Sequence, residues 1–177
     1  MLKLKHFVGY SLFLLFLIAA CASIQPSFEY KEGDYYLDGD LTSESYRQLI
    51  ELLAQNQGVP ITIHARSNGG KVAGIENAMD AIHQHGQVYW KVARHSKCYS
   101  ACALLGLSSS KIDGTLYFHS VYSSYKDVTY KLMAKNNGIR TRLISYGYDE
   151  ALVSQLFSSI NIYTKLKFNE GVLEEIR

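Results

Sequence analysis

The feature that most narrows the fold is an alternation. From residue 34 to residue 119, short apolar runs with strand character trade places with amphipathic stripes at helical spacing, and each run ends at a polar or glycine turn. Tyr35-Tyr36-Leu37 stops at Asp38-Gly39-Asp40. Thr42 then offers a helix N-cap with Glu44 behind it, and Tyr46, Leu49, Ile50 and Leu53 form one face that Gly58 and Pro60 close. Residues 60–65 put Ile61 and Ile63 on one side of a second strand. Val72, Ile75, Met79 and Ile82 make the next helical stripe, with Gly86 placed to cap its end. Residues 87–92 read as a third strand, the small-residue stretch from Ser100 to Gly106 as a third helix, and Ser108-Ser109-Ser110 as a loop before a strand pair around Asp113-Gly114. This β-α-β-α-β-α-β order predicts an α/β fold, a parallel sheet with crossover helices, and ligands gathered at the carboxyl ends of the strands.

Three of those strand ends carry chemistry. In Lys97-Cys98-Tyr99-Ser100-Ala101-Cys102 a serine falls on the first turn of a short helix, where free backbone N–H groups can steady a developing oxyanion. Ser67-Asn68-Gly69-Gly70 ends one strand in paired glycines, and residues 116–119 end another in His119. Serine, glycine pair and histidine together point to a hydrolase. The other histidines read differently: His64 lies mid-strand as a buried structural residue, while His83 and His85 fall on the last turn of a helix, as solvated residues whose charge suits the dipole. A metal centre would need more ligands than Cys98 and Cys102, and only His95 stands near them, so no metal is expected. Cys98 as a nucleophile would lie ahead of the helix.

The first 20 residues read as a targeting segment, with Lys3 and Lys5 ahead of a short apolar run that ends at Ile18-Ala19-Ala20-Cys21. That tetrapeptide resembles the bacterial lipobox, which implies diacylation of Cys21 and a membrane-held mature chain. Ala22 rather than aspartate after the cysteine implies the outer membrane, facing the periplasm. The chain is then divided into a lipoprotein signal peptide (1–20), a polar tether (21–33) and one domain (34–177). Without Lys3 and Lys5 the 18 basic residues fall to the number of acidic ones, 16, so there is no electrostatic footprint for nucleic acid. With Cys21 acylated, Cys98 and Cys102 remain as a pair in an oxidising compartment, four residues apart and within bridging range, and a disulfide is expected.

Gly39-Asp40-Leu41-Thr42, Ser67-Asn68-Gly69-Gly70, Ser100-Ala101 and Phe118-His119 come in an order and spacing that resemble the Clp protease proteolytic subunit and the crotonase-like superfamily. The small periplasmic branch with a Cys-x-Ser-Ala-Cys motif is the nearest in pattern. The resemblance implies a spiral of β-β-α units, serine peptidase or related hydrolase chemistry on a peptide or protein substrate, no cofactor, and a homo-oligomer. Carried over by position, Ser100 is the nucleophile and His119 its general base, with the N–H groups of Gly70 and Ala101 as the oxyanion hole. The family's third triad position holds Asn161 here. Asp149, the nearest carboxylate candidate, can equally serve as a helix cap. An alternative function is a catalytically inactive envelope lipoprotein of the same fold acting as a binding or assembly module. An acyl-coenzyme A enzyme is disfavoured, since that cofactor is not expected outside the cytoplasm. Tyr122, Tyr125, Tyr130, Tyr146 and Tyr148 suit either a groove or subunit interface, or a half-buried helical layer.

Overall fold

The computed structural model describes residues 27–31, 34–118, 129–159, 165–169 and 172–176. A five-stranded sheet runs in the order β1 (Ser27–Lys31), β2 (Asp34–Asp38), β3 (Ile61–Arg66), β4 (Val88–Lys91), β5 (Lys111–Asp113). β2 to β5 are parallel, and β1 is antiparallel to β2. The crossovers are α1 (Ser43–Gln55), α2 (Ile75–His85) and α3 (Ala101–Leu107); α4 (Thr129–Ser145) and α5 (Glu150–Ser159) follow. A second, antiparallel sheet joins β6 (Leu116–Phe118), β7 (Lys165–Asn169) and β8 (Val172–Ile176).

Between each sheet strand and its helix the chain makes a further strand-like contact. Parallel bridges link Leu41 with Gly70, Ser67 with Cys98, and Tyr99 with Tyr117. Each unit is therefore strand, short second strand, helix, repeated with a parallel step to the next. The fold is an α/β spiral of β-β-α units, as expected, and the second ladder holds the motif residues.

Alternation sets the layers. Ile61, Ile63 and Ala65 of β3 and Val88 and Trp90 of β4 are buried, while Thr62, His64, Tyr89 and Lys91 point the other way. Leu49 and Leu53 of α1, Ile75, Met79 and Ile82 of α2 and Leu105 of α3 pack onto that face. Burying side chains of this size contributes about 1.5–3 kcal/mol each. Gly106 lets α3 lie close to the sheet, since a Cβ there would stand 3.0 Å from both Trp90 and Leu116. Arg142 of α4 reaches α2 through Asp80, Nε donating at 3.1 Å, and the Tyr146 hydroxyl donates to the same carboxylate at 2.5 Å.

Several expectations need correcting. Ser27–Lys31, inside the stretch read as tether, form β1, because the free edge of β2 offers donors and acceptors that local sequence does not reveal. Thr42 caps α1 with Glu44 in the first turn, as expected, and a capping box with Ser45 completes the start of the helix. Val72 precedes α2, whose first turn follows Gly74. β5 and β6 belong to different sheets and are not a pair. His85 is buried, its Nε2 2.8 Å from the Asn56 carbonyl, because it continues the Ala78 and Ile82 stripe. His64 is only half-buried, on the sheet face away from the core: its Nε2 lies 2.7 Å from Asp34 Oδ2 and its ring stacks on Tyr36 at 4.7 Å. That hydrogen bond holds the Asp34 carboxyl below the usual range.

Candidate active site

Ser100 is the N-cap of α3, one position ahead of the first turn assigned to it from sequence. Its backbone has φ 54° and ψ −117°, and it is the single non-glycine residue with positive φ among the described residues. Such a conformation costs on the order of 1–3 kcal/mol and persists where the surroundings over-determine it. They do so here. Ser100 N–H donates to the Tyr117 carbonyl at 2.9 Å, Tyr99 N–H to that of Ser67 at 3.0 Å, and Leu104 N–H to that of Ser100 at 3.1 Å. The rings of Tyr99 and Tyr117 stack at 4.7 Å beside it. The sulfur atoms of Cys98 and Cys102 stand 2.05 Å apart, with Cα atoms 5.2 Å apart, on either side of the serine. The Ser100 hydroxyl makes no capping bond to its own helix.

The paired glycines press against this turn. A Cβ on Gly69, whose φ is +97°, would lie 2.8 Å from Ser100 Cβ, 2.8 Å from the Tyr99 carbonyl oxygen and 3.2 Å from Ala101 N. Only glycine fits there. Ser67, buried at the end of β3, shapes the turn: its Oγ accepts from Gly69 N–H at 3.0 Å and donates to the Gly69 carbonyl at 3.3 Å. Leu41 N–H donates to the Gly69 carbonyl at 2.7 Å and Lys71 N–H to that of Leu41 at 2.9 Å, so Gly70 is clasped between them. Among the described residues, the N–H groups of Gly70 and Ala101 have no hydrogen-bond acceptor. Sequence reasoning placed Ser67, Gly69 and Gly70 in one motif but gave a role to Gly70 alone. A serine two residues before a glycine, whose hydroxyl can mimic a turn, was the signal for the other two.

His119, Asn161 and Cys21 lie outside the described residues, as do Tyr122 and Tyr125. Asp149 is a helix cap: its Oδ1 accepts from Leu152 N–H at 3.0 Å. Tyr146 stacks on His83 at 4.0 Å, and the Tyr148 hydroxyl donates to the Leu107 carbonyl at 2.7 Å, so these two tyrosines belong to the helical layer. Burial pushes the Tyr148 phenol up to about 12. Among the described residues no group of histidines, cysteines and carboxylates could hold a metal ion, and no helix is long and apolar enough to cross a membrane.

The same arrangement of strands and helices is found in the ClpP protease catalytic domain from Plasmodium falciparum, over 71% of this chain and 73% of that one, with a TM-score of 0.53 and 13% identity. The fold is ClpP-like. A ClpP1 mutant from Listeria monocytogenes aligns over 68% of this chain and 75% of that one, at 20% identity and a TM-score of 0.48. No protein-family model and no curated protein matches the sequence. Within the ClpP-like fold, Ser100 stands at the start of the third helix of the β-β-α series, on the side of the sheet where the parallel strands end.

Proposed function

We propose that the chain is a serine hydrolase acting on peptide bonds, with Ser100 as nucleophile. The observation that carries this reading is the strained Ser100 backbone at the start of α3, with a hydroxyl that does not cap the helix and two unengaged N–H groups at Gly70 and Ala101. A sharp strand-to-helix turn of this kind exposes a serine hydroxyl above a sheet. In the proposed reaction Ser100 Oγ attacks a carbonyl carbon, its proton passes to a base, and the carbonyl oxygen becomes an oxyanion held by the Gly70 and Ala101 N–H groups. Losing one such donor typically raises the barrier by about 3–4 kcal/mol.

His119 is the proposed base, two residues beyond Tyr117, whose carbonyl accepts the Ser100 N–H. Asn161 would orient the imidazole. The capping role of Asp149 leaves that carboxylate occupied and favours Asn161 or a Ser-His dyad. A peptide substrate is supported by the protease named in the structural comparison, whose fold this chain shares. The lipobox-like segment supports acylation of Cys21, with residues 1–20 as signal peptide and the catalytic domain beyond the tether, held at the outer membrane on its periplasmic side. The sulfur positions support a Cys98–Cys102 disulfide that stiffens the nucleophile turn. Assembly as a homo-oligomer completes the proposal.

The test is covalent labelling. A fluorophosphonate probe is expected to label the wild-type chain at Ser100, and Ser100→Ala to abolish labelling. His119→Ala should reduce it severely, with the oxyanion hole left in place. Asn161→Asp should raise it if that position is the third member of a triad. A folded wild-type chain that takes up no probe between about pH 6 and 9, where an ordinary histidine becomes neutral, would replace the enzyme with the silent binding module.

A further inference from the structure

A cleft of about 310 Å³ opens where the carboxyl ends of β2, β3 and β4 meet, lined in part by Asp38, Arg66, Asn68, His95, Ser96 and Lys97. Two of its charges cancel: Arg66 Nε donates to Asp38 Oδ1 at 3.0 Å, a second guanidinium nitrogen bonds the other carboxylate oxygen, and the Arg66 hydrogen bond holds the Asp38 carboxyl below its usual range. The charge left over is positive. Lys97 and His95 are exposed, and among the described residues neither has a carboxylate partner.

Both walls of this cleft run on into the serine site. Ser67 and Asn68 lead into Gly69, which abuts Ser100. Lys97, whose carbonyl accepts from Ser67 N–H at 2.6 Å, precedes Ser100 by three residues. At the reach of extended chain this is no more than about 11 Å, the span of two or three residues of a bound peptide. A concave surface carrying one uncompensated sign of charge focuses its field on ligands of the other sign.

We propose that this cleft is a carboxylate-binding subsite: the substrate of Ser100 carries a carboxylate within about three residues of the scissile bond, received by Lys97 and His95 with Asn68 as a further donor. The inference rests on the serine hydrolase reading. It adds the chemical class of the substrate, an acidic peptide, and it assigns Lys97 and His95 to specificity and not to the chemical step.

The experiment is protection of Ser100 in the full chain from fluorophosphonate labelling by competing tetrapeptides, read by intact mass. One set is capped at both ends and walks Glu, or Gln, through every position of an alanine background. A second compares tetra-alanine with a free and an amidated C-terminus. The expected result is that a carboxylate peptide protects at a concentration at least fivefold lower than its neutral counterpart, and the set in which this occurs names a side-chain or a terminal carboxylate as the source. Lys97→Glu is expected to bring that ratio to one or below, and Lys111→Glu, the same charge change on an exposed residue of β5, to leave it as in the wild type. Equal protection by charged and neutral peptides, with normal labelling, overturns the subsite and leaves the serine chemistry standing. A preference that survives Lys97→Glu overturns the assignment to this cleft. No labelling of the wild type overturns the hydrolase and the subsite with it.

Discussion

Replacing Gly70 with alanine tests how the glycine turn is held in place. A Cβ at Gly70 would stand 2.0 Å from the carbonyl oxygen of Leu41, 2.6 Å from its nitrogen and 2.7 Å from its carbonyl carbon. All three are backbone atoms, so no rotamer change relieves the overlap. Leu41 must move, and moving it breaks the bonds from Leu41 N–H to Gly69 and from Lys71 N–H to Leu41. Two hydrogen bonds are worth about 1–3 kcal/mol together, and over-packing of this kind typically adds about 1–3 kcal/mol. The expected loss is therefore about 2–6 kcal/mol, which at roughly 2–4 °C per kcal/mol for a chain of this size is on the order of 10 °C in Tm. Gly58→Ala is the control: its φ is +74° but nothing lies within 4 Å of the added Cβ, so it should cost only the left-handed backbone penalty, about 1–2 kcal/mol. Urea unfolding of both variants, with the slope unchanged from wild type, measures the difference. Equal destabilisation by the two alanines would refute the close approach of Gly70 to Leu41. The bridge between them is what aims the Gly70 N–H, so Gly70→Ala should also lower fluorophosphonate uptake per folded molecule, and Gly58→Ala should not.

Three further outcomes are expected. Tyr46 is buried and its hydroxyl donates to the Lys71 carbonyl at 2.5 Å; burial raises its pKa far above that of a free phenol. The folded chain thus keeps a proton that the unfolded chain loses near pH 10, so stability is whole below about pH 10 and falls above it, by up to about 1.4 kcal/mol per pH unit from this residue. Tyr148, lifted to about 12 by burial, steepens the same decline between those values. Unfolding midpoints flat to pH 11.5, or unaltered in pH dependence by Tyr46→Phe, would refute this. Mass spectrometry of the chain taken from membranes should find Cys21 acylated at a new N-terminus and Cys98 and Cys102 resistant to alkylation until reduced. Unchanged partitioning of Cys21→Ser into the membrane fraction refutes the anchor, and free thiols at both positions refute the disulfide.

Periodicity alone determined most of the parallel core. Ile61 and Ile63 at period two, Leu49 and Leu53 at helical spacing, Thr42 and Gly86 as caps are local properties, set by side-chain sterics and backbone satisfaction within a few residues, and all recur in the structure. The β-β-α spiral was legible only as what the family resemblance implied, carried by motifs in which Gly70 and Ser100 come after strands and Phe118 ends one. Tertiary structure decided what depends on partners distant in sequence. The strand at residues 27–31 exists because β2 has an edge to pair with, and the separation of β5 from β6 follows from pairing of β6 with residues 165–169. His85 is buried because α2 turns that position toward the end of α1. Ser67 and Gly69 matter through contacts across the ladder, the Ser67 carbonyl accepting from Tyr99 N–H and Gly69 abutting Ser100; their spacing along the chain signals the turn they share but not those partners. The positive φ of Ser100 is of the same kind: an isolated serine avoids it, and only hydrogen bonds converging from Tyr117, Ser67 and Leu104 onto residues 99 and 100 hold it there.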